Sequence, residues 1–424
     1  MSPSSRRVRW IGATLAVGLC LLLVNRPGTE RTAGAATAAA APTIPTAAPV
    51  HTTIAGYPVW AHFNNPRAFK GHDDTIHAEL RRLIRNAPAG STIRGSIHSL
   101  GIESMAQALV DAQARKVRVQ LVIDGKNNTK SPNDAVKLIK GIKELKWCQY
   151  EKHKGFGCIS DSTDSIMHAK LFTFTQTTEP TGAVRKNVSW FGSPNLTATS
   201  GTDQFNNAIT VYGDPVLFAG LNTYFGDMYA GNHAKHNDYY DSRSGRGYYL
   251  AAAADVYASP EEHEETDTIA SRLNDITPDA NCRLRIGMKS VTSKRPKLVS
   301  LVKNFRKAGC QVWMVVSEDK NGDIDMNQGV YDDLIKAGVK IHKISHLHDK
   351  FFVAYGKYDG TYQARVYTGS QNWTEDALNE NDEIFVKMAP ESATSHPLYD
   401  GYARHFNDAY EHGDPCTKSH GSCY

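Results

Sequence analysis

Two histidine–lysine pairs carry the chemistry of this chain: His168-Ala169-Lys170 in the first half and His348-Asp349-Lys350 in the second. A glycine–serine turn follows each, Gly192-Ser193-Pro194-Asn195 and Gly369-Ser370-Gln371-Asn372. Transfer of a phosphodiester at neutral pH needs a nucleophile, a proton donor for the leaving oxygen and positive charge for the oxyanions. Histidine suits the first two roles because its ordinary pKa lies near neutrality. One neutral imidazole can attack phosphorus and become a phosphohistidine. A second, protonated, can deliver its proton to the leaving alcohol and then serve as base toward water or another alcohol. Lys170 and Lys350 supply cations, and Ser193, Asn195, Ser370 and Asn372 supply neutral donors to the non-bridging oxygens. With lysines providing the charge, neither a metal nor another cofactor is required. A single His-x-Lys in a chain of 17 histidines would mean little. The same order, found twice in a strand context, carries the inference.

The elements around the pairs repeat as well. Residues two apart on a strand point to one face. Strands over 169–175 and 349–355 therefore set each lysine beside its histidine. Strands over 188–192 and 364–369 run into the glycine turns, where a residue without a side chain allows close backbone approach. Upstream, Ile76, Leu80, Leu83 and Ile84 recur at helical spacing, followed by a strand over 92–97, a helix over 105–114 and a strand over 117–124. The second half repeats the pattern with a strand over 284–288, a helix bearing Leu298, Leu301, Val302 and Phe305, and a strand over 311–316. Strands alternating with helices predict an α/β chain built as two similar sandwich halves with mixed sheets. The halves are read as 56–240 and 241–424, joined by a connector near 231–249.

The paired signatures resemble the phospholipase D superfamily, and the resemblance covers most of 56–410. It implies a duplicated, pseudo-twofold fold and a site shared by both copies. It also implies His168 as the nucleophile and His348 as the acid and base. Three departures stand out. The family's aspartate five residues after each lysine is Thr175 in one copy and Tyr355 in the other. The family's acid that orients the imidazole is matched by Glu383, read as the partner of His348. In the first copy Ala208 stands at the place read as equivalent, so His168 either lacks a carboxylate or takes Asp203, and the reverse polarity stays open. Trp373, beside Asn372, is a candidate substrate contact. His98 and His346 each have two readings, at the site's border or as ordinary loop and strand-end residues.

The chain's ends bear on its setting. Arg6, Arg7 and Arg9 precede an apolar run from Trp10 to Val24, with small residues at 32–36, so 1–35 read as a signal peptide and the protein as secreted. An uncleaved membrane anchor is the alternative. Residues 36–55, rich in Ala, Thr and Pro, read as a linker. Without the first 35 residues, 43 basic and 43 acidic residues remain, a balance that lacks the electrostatic footprint of a nucleic-acid binder. Six cysteines remain, and an even number in an exported chain signals disulfides. Neighbouring pairs, Cys148–Cys158, Cys282–Cys310 and Cys416–Cys423, are the expectation among 15 connectivities. The function expected is a secreted phospholipase D-type phosphodiesterase acting on phospholipid head groups, with transphosphatidylation as an accompanying activity. Expected with it are a monomeric state and transient contact with a membrane surface. Nucleic acid is the alternative substrate, and a non-catalytic phosphate- or membrane-binding protein is the rival from another class.

Overall fold

The computed structural model describes residues 48–66, 73–149, 155–234, 237–241, 244–262, 267–417 and 423–424. The segment read as a signal peptide and most of that read as a linker lie outside them. The linker's end is a correction: Val50–Ile54 is a strand, because its alternating Val50 and Ile54 bury against the core while His51 and Thr53 face outward or to the side.

That strand, β1, opens the first sheet. It is joined by β2 (Tyr57–Asn64), β3 (Thr92–Ile97), β4 (Arg118–Asp124), β5 (Glu144–Cys148), β6 (Leu171–Thr178), β7 (Val184–Gly192) and β8 (Asn206–Tyr212). Their spatial order is β1-β2-β8-β7-β6-β3-β4-β5. The second sheet contains β9 (Tyr248–Leu250), β10 (Ala254–Ser259), β11 (Arg283–Met288), β12 (Gln311–Ser317), β13 (Lys340–Ile344), β14 (Lys350–Tyr358), β15 (Thr361–Gly369), β16 (Glu383–Met388) and β17 (Asp414–Cys416). Read from β9, its order is β9-β10-β16-β15-β14-β11-β12-β13-β17. The two orders coincide strand for strand, with β17 as an addition at one edge. Both sheets are mixed: β3 pairs with β4 in parallel and with β6 antiparallel, and β11 does the same with β12 and β14. The duplicated α/β sandwich expected from the sequence is therefore present.

The helices read from periodicity also form, as α1 (Thr75–Arg85) and α2 (Glu103–Ala114) in the first half and α7 (Pro296–Lys307) in the second. Between these come α3 (Asp134–Ile139), α4 (Ala198–Thr202), α5 (Pro215–Ala230) and α6 (Thr268–Asn274). After them come α8 (Gln328–Lys336), α9 (Glu375–Asn379) and α10 (Pro397–His412). The apolar stripes of α1 and α2 form one core with the outer face of the first sheet, and α6, α7 and α8 form another on the second. A third core lies between the sheets and contains α5 and α10.

Each of these two helices touches strands of both halves. Both are long, start with a proline in the first turn and bury aromatic residues. Tyr224 of α5 donates its hydroxyl hydrogen to the Glu383 carbonyl of the second half (3.2 Å), and Tyr402 of α10 donates to Asn207 Oδ1 of the first (2.9 Å). The pairs Tyr239–Tyr240 and Tyr248–Tyr249 pack in the connector region, with Tyr239 against Tyr224 and Tyr248 stacked on Tyr257.

The three disulfides link Cys148–Cys158, Cys282–Cys310 and Cys416–Cys423, as the neighbouring-pair reading expected.

A closed polar network holds the middle of the interface. Asn207 Nδ2 donates to Asp349 Oδ1 (2.6 Å), and His405 Nε2 of α10 lies 2.7 Å from the other oxygen of the same carboxylate. Asn207 Oδ1 accepts from both Thr368 and Tyr402. All five side chains are buried, so removing the hub strands its partners without water. Asn207→Ala should lower the unfolding free energy by about 3 kcal/mol in a denaturant titration. A loss under about 1 kcal/mol would mean that the network is dispensable.

Candidate active site

His168 and Lys170 stand just before and at the threshold of β6, and His348 and Lys350 take the same places at β14. All four are buried, with the lysines 3% and 2% exposed. Each lysine folds back so that Nζ donates to the carbonyl of its own histidine, at 2.6 Å for Lys170 and 2.5 Å for Lys350.

The histidines meet through crossed contacts between the halves. The His168 backbone N–H donates to the Asp382 carbonyl (2.9 Å), and the His348 backbone N–H donates to the Phe205 carbonyl (3.0 Å). The next residue in each case orients the imidazole. Both carboxylate oxygens of Glu383 lie 2.8 Å from His168 Nδ1. Asn206 Oδ1 lies 2.9 Å from His348 Nδ1. Two sequence expectations are thereby corrected. Glu383 serves His168 of the opposite half and not His348. The first-half counterpart of Glu383 is Asn206 and not Ala208, which is buried in the first-half core. Asp203 does not reach His168; it lines, with Phe205, Glu318, Lys343 and the exposed His346, a cleft of about 600 Å³ that contains none of the signature residues.

The tautomers follow from the partners. Asn206 Nδ2 donates to the Ser200 carbonyl (3.2 Å), which turns Oδ1 toward both Ser193 Oγ (2.8 Å) and His348. An oxygen only accepts, so His348 Nδ1 carries a hydrogen. The Glu383 carboxylate places a hydrogen on His168 Nδ1 by the same logic. Nε2 of each ring is left for chemistry.

The glycine turns serve these contacts. A side chain on Gly192 would meet the Asn207 carbonyl oxygen at 2.4 Å, and one on Gly369 the Ile384 carbonyl oxygen at 2.2 Å. Without side chains, Ser193 and Ser370 donate their N–H groups to those carbonyls at 3.0 and 2.9 Å. The close approach is thus to a neighbouring strand. Ser193 and Ser370 are wholly buried. Ser193 Oγ bonds Asn206, and Ser370 Oγ accepts from the Ile384 N–H (3.1 Å) beside Glu383. This corrects their expected role: they brace the orienting residues and do not face a phosphate.

Asn195 and Asn372 are half-buried, and their Oδ1 atoms have no hydrogen-bond partner. Their main chains are pinned by buried side-chain donors. His77 Nε2 donates to the Asn195 carbonyl (2.9 Å), and Arg295, held bidentate by Asp267, donates to the Asn372 carbonyl (3.4 Å). Trp373 is 1% exposed and belongs to the second-half core, so it is not a substrate contact. Thr175 accepts the Thr92 N–H (2.8 Å), and Tyr355 stacks on Tyr362, structural uses of the places where the family has aspartate.

His98 belongs to the site's wall. It is 7% exposed and meets the His168 ring edge-on, centroids 4.7 Å apart. Its Nδ1 donates to the Met167 carbonyl (3.1 Å), and its Nε2 accepts from Lys126 Nζ. Burial drives its pKa down to about 4, so the ring is neutral. Lys126 acts electrostatically on Lys170, and Lys289 on His348 and Lys350. The sequence reading missed Asn206, Lys126 and Lys289. Asn206 had a signal: it lies thirteen residues after Ser193, as Glu383 lies thirteen after Ser370.

Burial, then neighbouring positive charge, holds His168 and His348 well below the ordinary histidine range. Burial brings Lys170 down to about 7, with Glu383 opposing it, and carries Lys350 well below its usual value. Burial pushes the Glu383 carboxyl up while Lys170 pulls it back. A desolvated site with four lysines close by is prepared to receive an anion.

The family model of the cardiolipin synthase, PLD-like domain matches residues 80–229 and 278–409, one segment in each half. Among solved structures, the polyphosphate kinase of Porphyromonas gingivalis is similar with a TM-score of 0.55 at 12% identity, over 86% of this chain and 49% of the kinase. The chain thus spans about half that enzyme's length. The phosphatidylserine synthase of Haemophilus influenzae Rd KW20 is similar with a TM-score of 0.53 at 10% identity, over 88% of this chain and 90% of the synthase. At such identities the likeness concerns the fold. No curated protein sequence matches the chain.

The Lys170 shift yields a test. A lysine with a lowered pKa is charged below that value and loses its charge as pH rises through it. Sulfate does not titrate between pH 6 and 8, yet it should bind about tenfold more weakly at pH 8 than at pH 6, as calorimetry would read. Equal affinity at both values would remove Lys170 from the anion site.

Proposed function

The chain belongs to the phospholipase D superfamily, and from that premise we propose that it is a secreted phosphodiesterase cleaving phospholipid head groups through a phosphohistidine. The observation that carries the reading is the crossed pair of oriented histidines, each with Nε2 free and its own partner at Nδ1. Phosphodiester chemistry is what superfamily membership supplies. The lipid substrate and the secreted setting rest on the balanced charge beyond residue 35 and on the export-type N-terminus.

The unequal partners divide the labour. A carboxylate at Nδ1 makes Nε2 of His168 more basic and stabilises the positive imidazole that forms when it bonds phosphorus. An amide gives His348 orientation without that charge, so its protonated form surrenders a proton more readily. His168 Nε2 therefore attacks phosphorus while the bond from phosphorus to the leaving alcohol breaks. The negative charge of the bound diester offsets the lysines that depress His348, so Nε2 takes up a proton from solvent on binding, and that proton passes to the departing oxygen. In the second step His348 takes a proton from water, the new oxygen bonds phosphorus, and the phosphorus–Nε2 bond breaks, freeing His168. An alcohol in place of water gives head-group exchange. Lys170, Lys350, Asn195 and Asn372 face the non-bridging oxygens through both steps. His98 and Lys126 hold the His168 ring and its field.

Purified protein is to be incubated with phosphatidylcholine vesicles and, separately, with single-stranded DNA, with and without chelator. Chelator-resistant choline release is expected, falling at least about 10³-fold in both His168→Ala and His348→Ala. Full activity in either variant sinks the two-histidine mechanism. Cleavage of DNA alone replaces the lipid reading with a nuclease that uses the same residues.

A further inference from the structure

Asp382 immediately precedes Glu383 and is fully buried. Its carboxylate accepts from three successive backbone N–H groups of the first half: Cys158 (2.5 Å), Ile159 (3.1 Å) and Ser160 (2.8 Å). Successive N–H groups turned inward form a concave seat for an anion. The backbone of the same residue faces the catalytic strand. Its carbonyl accepts from the His168 and Ala169 N–H groups at 2.9 and 2.8 Å, and its N–H donates to the Ile166 carbonyl at 3.0 Å. One residue therefore grips the loop at 158–160 with its side chain and the start of β6 with its main chain.

The gripped loop is itself tethered. Cys158 is bonded to Cys148, the last residue of β5, and both are buried. Asn237 Oδ1 accepts from Ser160 Oγ (3.1 Å) and the Asp161 N–H (2.8 Å), which closes the far side.

The other half supplies an internal control. There the residue before the orienting side chain is Phe205, whose carbonyl accepts the His348 N–H in the same way. Phe205 has an apolar side chain in the core between the sheets. The backbone clamp therefore forms without a buried carboxylate. The carboxylate appears only on the side where Glu383 meets His168, and burying it requires the three N–H groups that satisfy it.

We propose that Asp382 is a positioning residue for the Glu383–His168 pair, with the Cys148–Cys158 loop as its anchor. The inference rests on the reading of His168 as the nucleophile. Asp382 touches no substrate; it sets the backbone from which Glu383 projects and the backbone from which His168 projects, and so fixes their approach. An outer partner of this kind is worth about 10–100-fold in activity.

The test uses the full protein labelled with 15N-histidine. An Nδ1–H bonded to a buried carboxylate gives a low-field proton resonance, readable without substrate. That resonance is expected in the wild type and absent in Glu383→Gln. In Asp382→Asn it should be lost or broadened, with kcat on the diester down about 10–100-fold and KM within about threefold. Cys148→Ser/Cys158→Ser should show the same direction, and Cys282→Ser/Cys310→Ser should leave kcat and the resonance unchanged. Wild-type kcat and resonance in a folded Asp382→Asn overturn the proposal. If Asp382→Asn does not fold, the same result in Cys148→Ser/Cys158→Ser overturns it. A wild-type protein without the resonance refutes the His168–Glu383 pair itself, a failure of the mechanism separate from that of Asp382.

Discussion

The structure depends on a reciprocal exchange of hydrogen bonds between its halves. Each histidine–lysine segment begins by giving its backbone N–H to the other half, and each imidazole is oriented by the residue that follows that acceptor. Buried polar groups need partners, and within its own half neither histidine has one at Nδ1. The halves therefore meet in one register, in which Asp382 pairs with Met167 and Phe205 with Leu347. The helices between the sheets reinforce that register, because Tyr224 and Tyr402 each bond a residue of the half to which they do not belong.

The duplication is close in backbone and unequal in chemistry. Strand order, glycine turns and serine braces repeat, while Glu383 in one copy is Asn206 in the other, and Asp349 beside His348 is Ala169 beside His168. Two identical sites would give two equally basic histidines. A carboxylate on one side and an amide on the other give the two imidazoles different electrostatic surroundings without altering the scaffold. The same inequality extends outward: His77 pins one asparagine and Arg295 the other, and Lys126 rests on a neutral histidine where Lys289 pairs with Asp325 at 3.0 Å. The surplus of positive charge in a desolvated centre is a cost of folding that a bound anion offsets.

Much of this was legible in the sequence, for reasons of period. His168 with Lys170 and His348 with Lys350 share faces because strands alternate, and Ile76, Leu80, Leu83 and Ile84 mark α1 because helices do not. The cysteine pairs were legible because close neighbours along the chain met. The orienting partners were not, since a contact between halves has no local period. The misplacement of the first-half partner is instructive. Ala208 and Asn206 are two apart on β8 and point to one face, so a slip of two leaves the burial pattern intact where a slip of one would invert it. Burial also overrode composition: Ser193, Ser370 and Trp373 have side chains able to touch a ligand, but the close approach at Gly192 and Gly369 turns the serines inward, and the second-half core takes the indole.

The crossed wiring also has a consequence in time. His168 and Glu383 are 215 residues apart in the chain, and His348 and Asn206 are 142 apart. Contacts of such separation form late, after local elements and after each half has its own core. A ribosome that has delivered the whole first half, signature included, has delivered a histidine with no carboxylate and no opposing imidazole. The two oriented imidazoles come together only when nearly the entire polypeptide has emerged and the two halves have closed on each other. Completion of synthesis is thus built into the assembly of the crossed pairs, and a chain interrupted before residue 383 lacks the partner of His168.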